Sequence, residues 1–432
     1  MAKSVFRGGV HPPEHKEPTA GSPVVWAPVP SRLVVPLSQH LGAPCAPVVA
    51  KGDRVVRGQV IGDADAMVSA PVHAPVTGSV AEIGSTLTLG GTVVPAVVIE
   101  PDEQQDLDTY EPVPESADPR ATVRAAGIVG MGGATFPSAV KLTPPKPLTI
   151  KTLILNGCEC EPFLTCDHRL MVEQPDRVVT GARLIRDIVG AERVVIAVEE
   201  NKPDAVAALG ALAGDGVEIK VFPTRYPQGA EKQLIYALLK VEVPHGKLPA
   251  VTSTLVHNVA TAAAIADAIE LRKPLMDRIV TVTGAVARPG NYRVLIGTSV
   301  SDLIEFAGGL VGDVERVIAG GPMTGHALGS LDVPVAKGTS GIVALPAGEV
   351  APAIAGDQPC IRCGRCPDAC PMSLEPYAIA NYAQQQMWDA AADRHALDCI
   401  ECGICSYVCP TKRPLLQSIR LAKAAAMAKG VS

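Results

Sequence analysis

The sequence predicts a multidomain protein that combines α/β and all-β parts, and three observations lead to this prediction. The chain has 432 residues, a length typical of about three domains. Short runs of Val, Ile and Leu, separated by Gly, Pro and Asp, fill residues 33–98, whereas helix and strand signals alternate over residues 121–271. Eight of the twelve cysteines lie in two runs near the C-terminus. A β module, an α/β domain and a cysteine-bearing domain are therefore expected.

Residues 1–105 are expected to form the N-terminal β module. Its closely spaced strand and turn signals, KGDxVxxGQ followed by APVxGxV, resemble the barrel-sandwich hybrid fold of biotinyl and lipoyl domains. Those domains carry their cofactor on a lysine near the second hairpin, but no lysine lies between Asp63 and Pro75 here. We therefore expect a structural or docking module and not a swinging arm.

The next three segments are defined by changes in composition. Residues 106–120 are acidic and rich in Pro, which is typical of a linker. Alternating strand and helix signals over residues 121–275 predict a Rossmann-like α/β domain of the doubly wound type. Residues 276–346 contain two strand signals around a Pro-Gly turn, and then a helix signal from Ser299 to Gly308. This order resembles the soluble-ligand-binding β-grasp (SLBB) module, for which we expect a scaffold role.

A Pro/Gly/Ala linker over residues 347–358 leads to a domain over residues 359–432 that holds both cysteine runs. Each run reads C-x2-C-x2-C-x3-C-P, the spacing of bacterial two-cluster ferredoxins. Three thiolates on a tight turn bind three corners of one cubane, while the fourth points away and completes the other cluster. The predicted ligands are Cys360, Cys363, Cys366 and Cys409 for one [4Fe-4S] cluster, and Cys399, Cys402, Cys405 and Cys370 for the second. The insert between the runs has helical signals, which indicates a helical two-[4Fe-4S] ferredoxin-like domain.

A pair of zinc sites and a disulfide framework are the alternatives for these cysteines. Structural zinc takes two CxxC knuckles and gives no reason for a third cysteine or for the proline. The first twenty residues contain no apolar signal segment, which indicates thiols that are kept reduced and hence a cytoplasmic protein. Iron–sulfur clusters are therefore favoured.

Charge and hydropathy argue against two other classes of function. The formal net charge is −6, and no segment carries the dense Lys/Arg patch that binding to nucleic acid needs. No run approaches eighteen apolar residues, so no span of a bilayer is expected. Any attachment to a membrane would come through partner proteins or a surface helix.

A glycine-rich segment, GIVGMGGATFPSAVK, covers residues 127–141. Glycines here could serve a turn alone. The segment is expected to leave one helix and enter another, however, so that its free N–H groups and the helix dipole could receive a phosphate, with Lys141 as a nearby cation. The sequence NGCECEP follows the strand signal TLIL, where ligands gather in open α/β sheets. Its acids, Glu159 and Glu161, suit ribose hydroxyls or a nicotinamide, or else are solvated loop acids.

Five stretches together resemble RnfC, the C subunit of the Rnf electron-transport complex, over essentially the whole chain. These stretches are FRGGVHPPEHKEPT, GIVGMGGATFPSAVKL, LNGCECEPFLTCDHRLM, RYPQGAEKQL and the pair of ferredoxin runs. The central domains also resemble the flavin-binding subunit of respiratory complex I. Its glycine loop, GxGGAGFPxxxK, is followed by NxDExEP, YxxGEE and a VNNVET-like segment.

The resemblance implies roles for individual residues in binding FMN and NADH. The residues expected to hold the FMN phosphate and ribityl chain are Gly130, Gly132, Gly133 and Lys141. Phe136 would stack near the nicotinamide or adenine, and Asn156 would contact the flavin. Glu159 and Glu161 would face the dinucleotide. The positions that match the last two motifs are Tyr226, Gly229, Glu231, Asn258 and Thr261.

Four positions depart from the complex I patterns. Ala230 replaces the first glutamate of YxxGEE, and His257 is substituted in the last motif. Cys158 and Cys160 stand where complex I has Asp and Ser. Together with Cys166 their spacing matches no cluster motif, so we expect buried or flavin-adjacent thiols.

The resemblance implies an NADH-oxidising, FMN-bearing subunit of an ion-translocating oxidoreductase. FMN would take a hydride from NADH, and two [4Fe-4S] clusters would carry single electrons to the iron–sulfur B subunit and on to ferredoxin or flavodoxin. Membrane subunits D, G, A and E would couple this flow to H+ or Na+ transport, with the chain peripheral on the cytoplasmic face of the bacterial inner membrane. The alternatives are a cobalamin-reductase-type flavin and iron–sulfur protein, and a dicluster relay that binds no nucleotide.

Overall fold

A computed structural model describes residues 6–214, 216–348 and 359–429. The predicted linker over residues 347–358 lies outside the described residues except for its first two positions. Within the described ranges, no helix combines the length and the apolar character needed to cross a membrane.

The N-terminal part forms two small antiparallel sheets after an extended leading segment. The leading segment contains α1 (Glu17–Ala20) and β1 (Val24–Trp26). The module's strands are β2 (Leu33–Pro36), β3 (Ala46–Pro47), β4 (Arg54–Val55), β5 (Val60–Asp63), β6 (Val72–His73), β7 (Gly78–Leu87) and β8 (Val93–Pro101). They form sheets of order β2-β8-β7-β4 and β3-β5-β6. Leu33, Val35, Val97 and Ile99 alternate along β2 and β8 and are fully buried, which gives the module its own core.

The α/β domain is built on a four-stranded parallel sheet. Its elements are α2 (Pro119–Ala125), α3 (Ser138–Lys141), β9 (Thr152–Gly157), α4 (Cys166–Glu173), α5 (Pro175–Val189), β10 (Arg193–Glu199), α6 (Pro203–Leu212), β11 (Val217–Phe222), α7 (Glu231–Leu239), β12 (Thr254–Asn258) and α8 (Val259–Leu271). Residues 194–198 of β10 are all fully buried, because helices cover both faces of the sheet. The strand order is β11-β10-β9-β12, so the chain reverses direction across the sheet between β9 and β12.

A six-stranded sheet forms the β-grasp part. Its elements are β13 (Asp277–Gly284), β14 (Gly290–Leu295), α9 (Val300–Phe306), β15 (Val314–Ala319), β16 (His326–Ala327) and β17 (Gly341–Pro346). The predicted hairpin and helix are present, and Ser299 caps α9 by accepting a hydrogen bond from the Asp302 N–H. The sheet order is β1-β14-β13-β17-β15-β16. Thus β1 lies within the range predicted for the N-terminal module, yet it pairs in parallel with β14 and forms one edge of this sheet.

The C-terminal part is helical, as its sequence indicates. It contains α10 (Arg365–Ala369), α11 (Pro376–Gln384), α12 (Trp388–Asp393), α13 (Ile404–Tyr407) and α14 (Leu415–Ala428). Ile379, Ala380, Ala391, Ile419 and Ala422 are buried between α11, α12 and α14 and form a small core beside the cysteines.

Candidate cofactor sites

The first candidate site is a crevice at the carboxyl ends of β9 and β12. Asn156 and Asn258 lie directly opposite each other in the ladder of these strands. Asn156 Nδ2 donates to the Gly229 carbonyl at 2.7 Å. Asn258 Oδ1 caps α8 by accepting from the N–H groups of Ala260 and Thr261. Because the chain reverses across the sheet between these two strands, the crevice is a topological switch point, where open α/β sheets bind ligands.

The glycine-rich loop is packed against the start of α8. The Met131 N–H donates to Thr261 Oγ1 at 2.9 Å, and the Gly130 N–H donates to the Phe136 carbonyl at 2.9 Å. A Cβ atom on Gly132 would lie 2.7 Å from Asn258 Nδ2, whereas one on Gly133 would meet nothing within 4 Å. The loop therefore needs glycine at position 132 for a close approach, and it leaves an exposed cradle at position 133.

The helix after this loop differs from the sequence expectation. α3 is a single turn of four residues and begins after Pro137, which has no N–H group. A helix dipole requires several aligned peptide groups, so α3 supplies little of the field that was expected for a phosphate. The longer helix whose N-terminus meets the loop is α8.

Lys141 is paired with another predicted site residue. Its Nζ atom lies 2.8 Å from Glu231 Oε1, and both side chains are partly exposed. Glu231 is the first residue of α7, and Gly229 and Tyr226 lie in the turn just before it. The structure therefore brings the motif GxGGATFPxxxK and the YxxGEE-like motif to the same crevice.

Glu159 and Glu161 use their carboxylates on protein donors. The Glu159 carboxylate accepts from the Asp167 and His168 N–H groups at 2.7 and 3.0 Å. It thus provides hydrogen-bond acceptors for two N–H groups in the first turn of α4. Glu161 is partly buried and accepts from the Met323 N–H at 2.6 Å and from Thr324. Burial raises the pKa of Glu161. Their contact with a dinucleotide stays a prediction, since in this structure both carboxylates accept hydrogen bonds from backbone N–H groups of the protein.

Asp167 is a crevice residue that the sequence reasoning missed. Its Oδ2 atom accepts a hydrogen bond of 2.6 Å from Asn258 Nδ2. Burial, together with the nearby Glu159, raises the pKa of Asp167 to about 7. An acid in the first turn of the helix after NGCECEP is the sequence signal that could have pointed to it. Asp167 fixes the orientation of Asn258 at the crevice.

Two cavities in the helical part are lined by four cysteines each. The first has a volume of about 530 Å³, and its cysteines are Cys360, Cys363, Cys366 and Cys409. The cysteines of the second, smaller cavity are Cys370, Cys399, Cys402 and Cys405. These groups are the two sets expected from the crossed ligation of a two-cluster ferredoxin. Four converging thiols are the donor set that an iron–sulfur cluster requires, so the residues present fit this group.

The second cavity lies against the α/β and β-grasp parts. The Tyr226 hydroxyl donates to the Cys402 carbonyl at 2.7 Å. Ile404 is buried in a cluster with Tyr226 and Met323. At the first cavity, by contrast, Cys363 is exposed and Ile361 is 60% exposed. One cysteine cavity therefore lies against the turn that contains Tyr226, and the other lies beside exposed residues.

Two four-thiol cavities, one of them against the turn beside a switch-point crevice, fit an iron–sulfur electron-transfer protein with a second cofactor in the crevice. Family models agree with this class along the chain. They match the RnfC barrel sandwich hybrid domain over residues 4–104, the Nuo51 FMN-binding domain over residues 123–267, the SLBB domain over residues 279–327 and the 4Fe-4S dicluster domain over residues 353–414.

Curated relatives match the whole chain. The chain is 44% identical to the C subunit of the proton-translocating ferredoxin:NAD(+) oxidoreductase complex of Clostridium ljungdahlii, over 100% of this chain and 95% of that protein. It is 45% identical to the C subunit of the Na(+)-translocating ferredoxin:NAD(+) oxidoreductase complex of Acetobacterium woodii, over 97% of this chain and 96% of that protein. The chain belongs to the RnfC family, the C subunits of ion-translocating oxidoreductase complexes.

A solved structure shares the fold at lower similarity. A crystal structure of NAD+-reducing [NiFe]-hydrogenase matches with a TM-score of 0.54 and 22% identity, over 73% of this chain and 65% of that chain. The predicted fold class is confirmed, as are FMN and two [4Fe-4S] clusters as the cofactors of this oxidoreductase subunit. The roles of individual residues in binding them stay predictions.

Proposed function

We propose that this chain exchanges a hydride between NAD(H) and FMN and passes single electrons through its two [4Fe-4S] clusters to an iron–sulfur B subunit. In the complete complex, with membrane subunits D, G, A and E, this flow exchanges electrons with ferredoxin or flavodoxin and is coupled to H+ or Na+ translocation. The chain would then be peripheral on the cytoplasmic face of the membrane. The names of relatives in Clostridium ljungdahlii and Acetobacterium woodii support the reaction and the coupling.

One observation carries the proposal, namely the contact between the crevice and the second cysteine cavity. Asn156 holds the carbonyl of Gly229, and three residues earlier in the same turn Tyr226 holds the carbonyl of Cys402. A single turn of the α/β domain thus touches the flavin crevice on one side and a cluster loop on the other. Such proximity is what electron transfer between a flavin and a cluster requires.

In this proposal the crevice residues bind and orient the flavin. FMN, when bound, takes up two electrons as a hydride and releases them one at a time. The loop at Gly130, Gly132 and Gly133 would hold its phosphate and ribityl chain, with open space at Gly133, and Lys141 would supply positive charge. Asn156, at the end of β9, would contact its ring, and Asn258 lies opposite it at the end of β12.

The position of the two cavities suggests the order of electron transfer. The cluster held by Cys370, Cys399, Cys402 and Cys405 would receive electrons from the flavin, because its loop touches Tyr226. The cluster held by Cys360, Cys363, Cys366 and Cys409 would pass them to the partner, because its loop is exposed. Arg362 and Arg365 line the outer cavity beside the exposed Ile361, and an acidic partner would complement these charges.

Anaerobic addition of NADH to the purified chain tests the proposal. Flavin absorbance and the EPR signals of reduced [4Fe-4S] clusters are followed together. We expect the flavin to bleach and the cluster signals to appear. Reduction of the clusters by dithionite but not by NADH, persisting after FMN is added back, would contradict the proposal and favour a relay that binds no nucleotide.

A further inference from the structure

The N-terminal segment before the first barrel strand reaches into the flavin domain. Lys16 lies in this segment, and its side chain is only 7% exposed. Its Nζ atom donates to the carbonyls of Glu159 and Glu161, each at 2.9 Å, and to the carbonyl of Leu164. One buried ammonium group thus uses all three of its donors on the loop that follows β9.

Neighbours of Lys16 bind the same loop. The Phe163 N–H donates to the Glu14 carbonyl at 2.8 Å. The His15 ring stacks on the Phe163 ring, with 4.7 Å between the ring centroids. Asn201 Nδ2 donates to Glu14 Oε2 at 2.6 Å. Hydrogen bonds and a ring contact therefore join this segment to the loop, and Glu14 also joins it to the turn after β10.

The loop needs such support because its backbone is strained. Glu159 and Phe163 have φ angles of 47° and 71°, which side-chain-bearing residues rarely adopt. Without the ammonium group, three loop carbonyls would lose their buried donor and the loop would relax.

The conformation of this loop sets the crevice side chains. The Cys158 N–H donates to Asn156 Oδ1, and Cys160 Sγ accepts from the Gly229 N–H at 3.3 Å. The Glu159 carboxylate, in the same loop, holds the start of α4 and so the position of Asp167. Each of these bonds links the loop held by Lys16 to a side chain or a backbone N–H group at the crevice.

We propose that Lys16 is a positioning residue for the flavin reaction, which holds residues 158–164 in the conformation that orients Asn156 and Gly229 towards FMN. The inference rests on the proposed function, since it assigns a role towards the flavin. It makes the N-terminal segment a part of the flavin site, although about 140 positions separate it from Asn156 along the chain.

Two substitutions of Lys16 and one matched control test this inference in the full chain with its clusters intact. Lys16→Met removes the donors and the charge, whereas Lys16→Gln removes the charge and keeps two donors. Arg57→Met is the control, because Arg57 is also a buried cation, 1% exposed, and its side-chain hydrogen bonds go to Asp277 and the Pro75 carbonyl and not to residues 158–164.

The first measurement removes the flavin from each protein and then determines the dissociation constant for FMN that is added back. We expect Lys16→Met to weaken FMN binding at least about tenfold, Lys16→Gln to restore part of the loss, and Arg57→Met to bind like the wild type. Unchanged FMN affinity in Lys16→Met protein, together with a loss of stability like that of Arg57→Met, would show that Lys16 only anchors the segment.

Hydrogen exchange gives a second test that survives failure of a variant to fold. In wild-type protein, FMN should slow amide exchange in residues 158–164 and in residues 14–19 together, and no change in residues 14–19 would overturn the inference.

If the wild type bound no FMN, the proposed function would be refuted. Faster exchange of the loop in flavin-free Lys16→Met protein would still support Lys16 as the residue that holds the loop, and unchanged exchange would refute it.

Discussion

Gly132 and Gly133 are adjacent in the chain, but they meet different surroundings. A Cβ atom on Gly132 would lie 2.7 to 2.9 Å from the side chain of Asn258, which is held by the α8 cap and by Asp167. A Cβ atom on Gly133 would point into open space, where the proposed flavin would lie. The two glycines therefore serve different needs, one for packing of the protein and the other for room around a ligand.

Substituting each glycine by alanine should separate these needs. Gly132→Ala should lower the free energy of unfolding of the flavin-free protein by about 1 to 3 kcal/mol, because it overpacks the contact with Asn258. Gly133→Ala should leave that free energy unchanged and weaken FMN binding. Denaturant unfolding and FMN titration measure the two effects. Equal stability loss in both variants would contradict the assignment.

The two cysteine loops are elements of the same shape in different surroundings. Gly364 and Gly403 each precede a short helix with a φ angle of 77°. A Cβ atom on Gly403 would lie 2.3 Å from the Met323 carbonyl oxygen, whereas one on Gly364 would have only Asp368 Oδ2, at 3.9 Å. The loop that contains Gly403 therefore packs closely against the β-grasp part, whereas the loop at Gly364 makes no such contact at this position.

This pair of glycines provides a matched test of docking between domains. Both Gly364→Ala and Gly403→Ala should cost about 1 kcal/mol from the backbone conformation. Only Gly403→Ala should also displace Met323 and slow the passage of electrons from flavin to clusters. Rapid-freeze EPR after mixing with NADH measures this step, and flavin bleaching measures the preceding one. Slowing of cluster reduction by the same factor in both variants would refute the docking argument.

The whole molecule is held together where its domains meet, and Lys337 marks one such junction. Its fully buried Nζ atom donates to the Pro71 carbonyl of the N-terminal module at 2.7 Å and to the Gly127 carbonyl of the α/β domain at 2.8 Å. Burial lowers the pKa of Lys337 from the usual 10.5 to about 8. The folded state therefore binds the Lys337 proton less tightly than the unfolded state does.

This pKa difference predicts a dependence of stability on pH. Between pH 8 and pH 10.5 the unfolded chain binds the Lys337 proton more tightly, so the free energy of unfolding should rise with pH across this window. The contribution is at most about 3 kcal/mol and should be complete near pH 10.5. Lys337→Met should lack it. Urea unfolding of both proteins at pH 7.5 and 10 measures the difference, and parallel pH profiles would contradict the prediction.

Many of the site residues could be predicted because they lie in short sequence motifs. Cysteine spacing alone gave the two groups of four that line the two cavities, and the order NGCECEP after a strand pointed to the crevice. The short length of α3 and the pairing of Lys141 with Glu231 were missed, because a glycine-rich pattern does not report the length of the next helix or the partner of a lysine.

The sequence by itself determined the fold class, the order of the parts and the two iron–sulfur clusters, because these depend on local periodicity and on ligand spacing within a few residues, while its resemblance to a known family implied FMN. Only the tertiary structure decided which cysteine cavity lies against the turn beside the crevice, through Tyr226 and Cys402, and that Lys16 binds the loop after β9. These contacts join residues more than 140 positions apart. No local pattern encodes them, since they arise from how already folded parts pack and satisfy one another's buried polar groups.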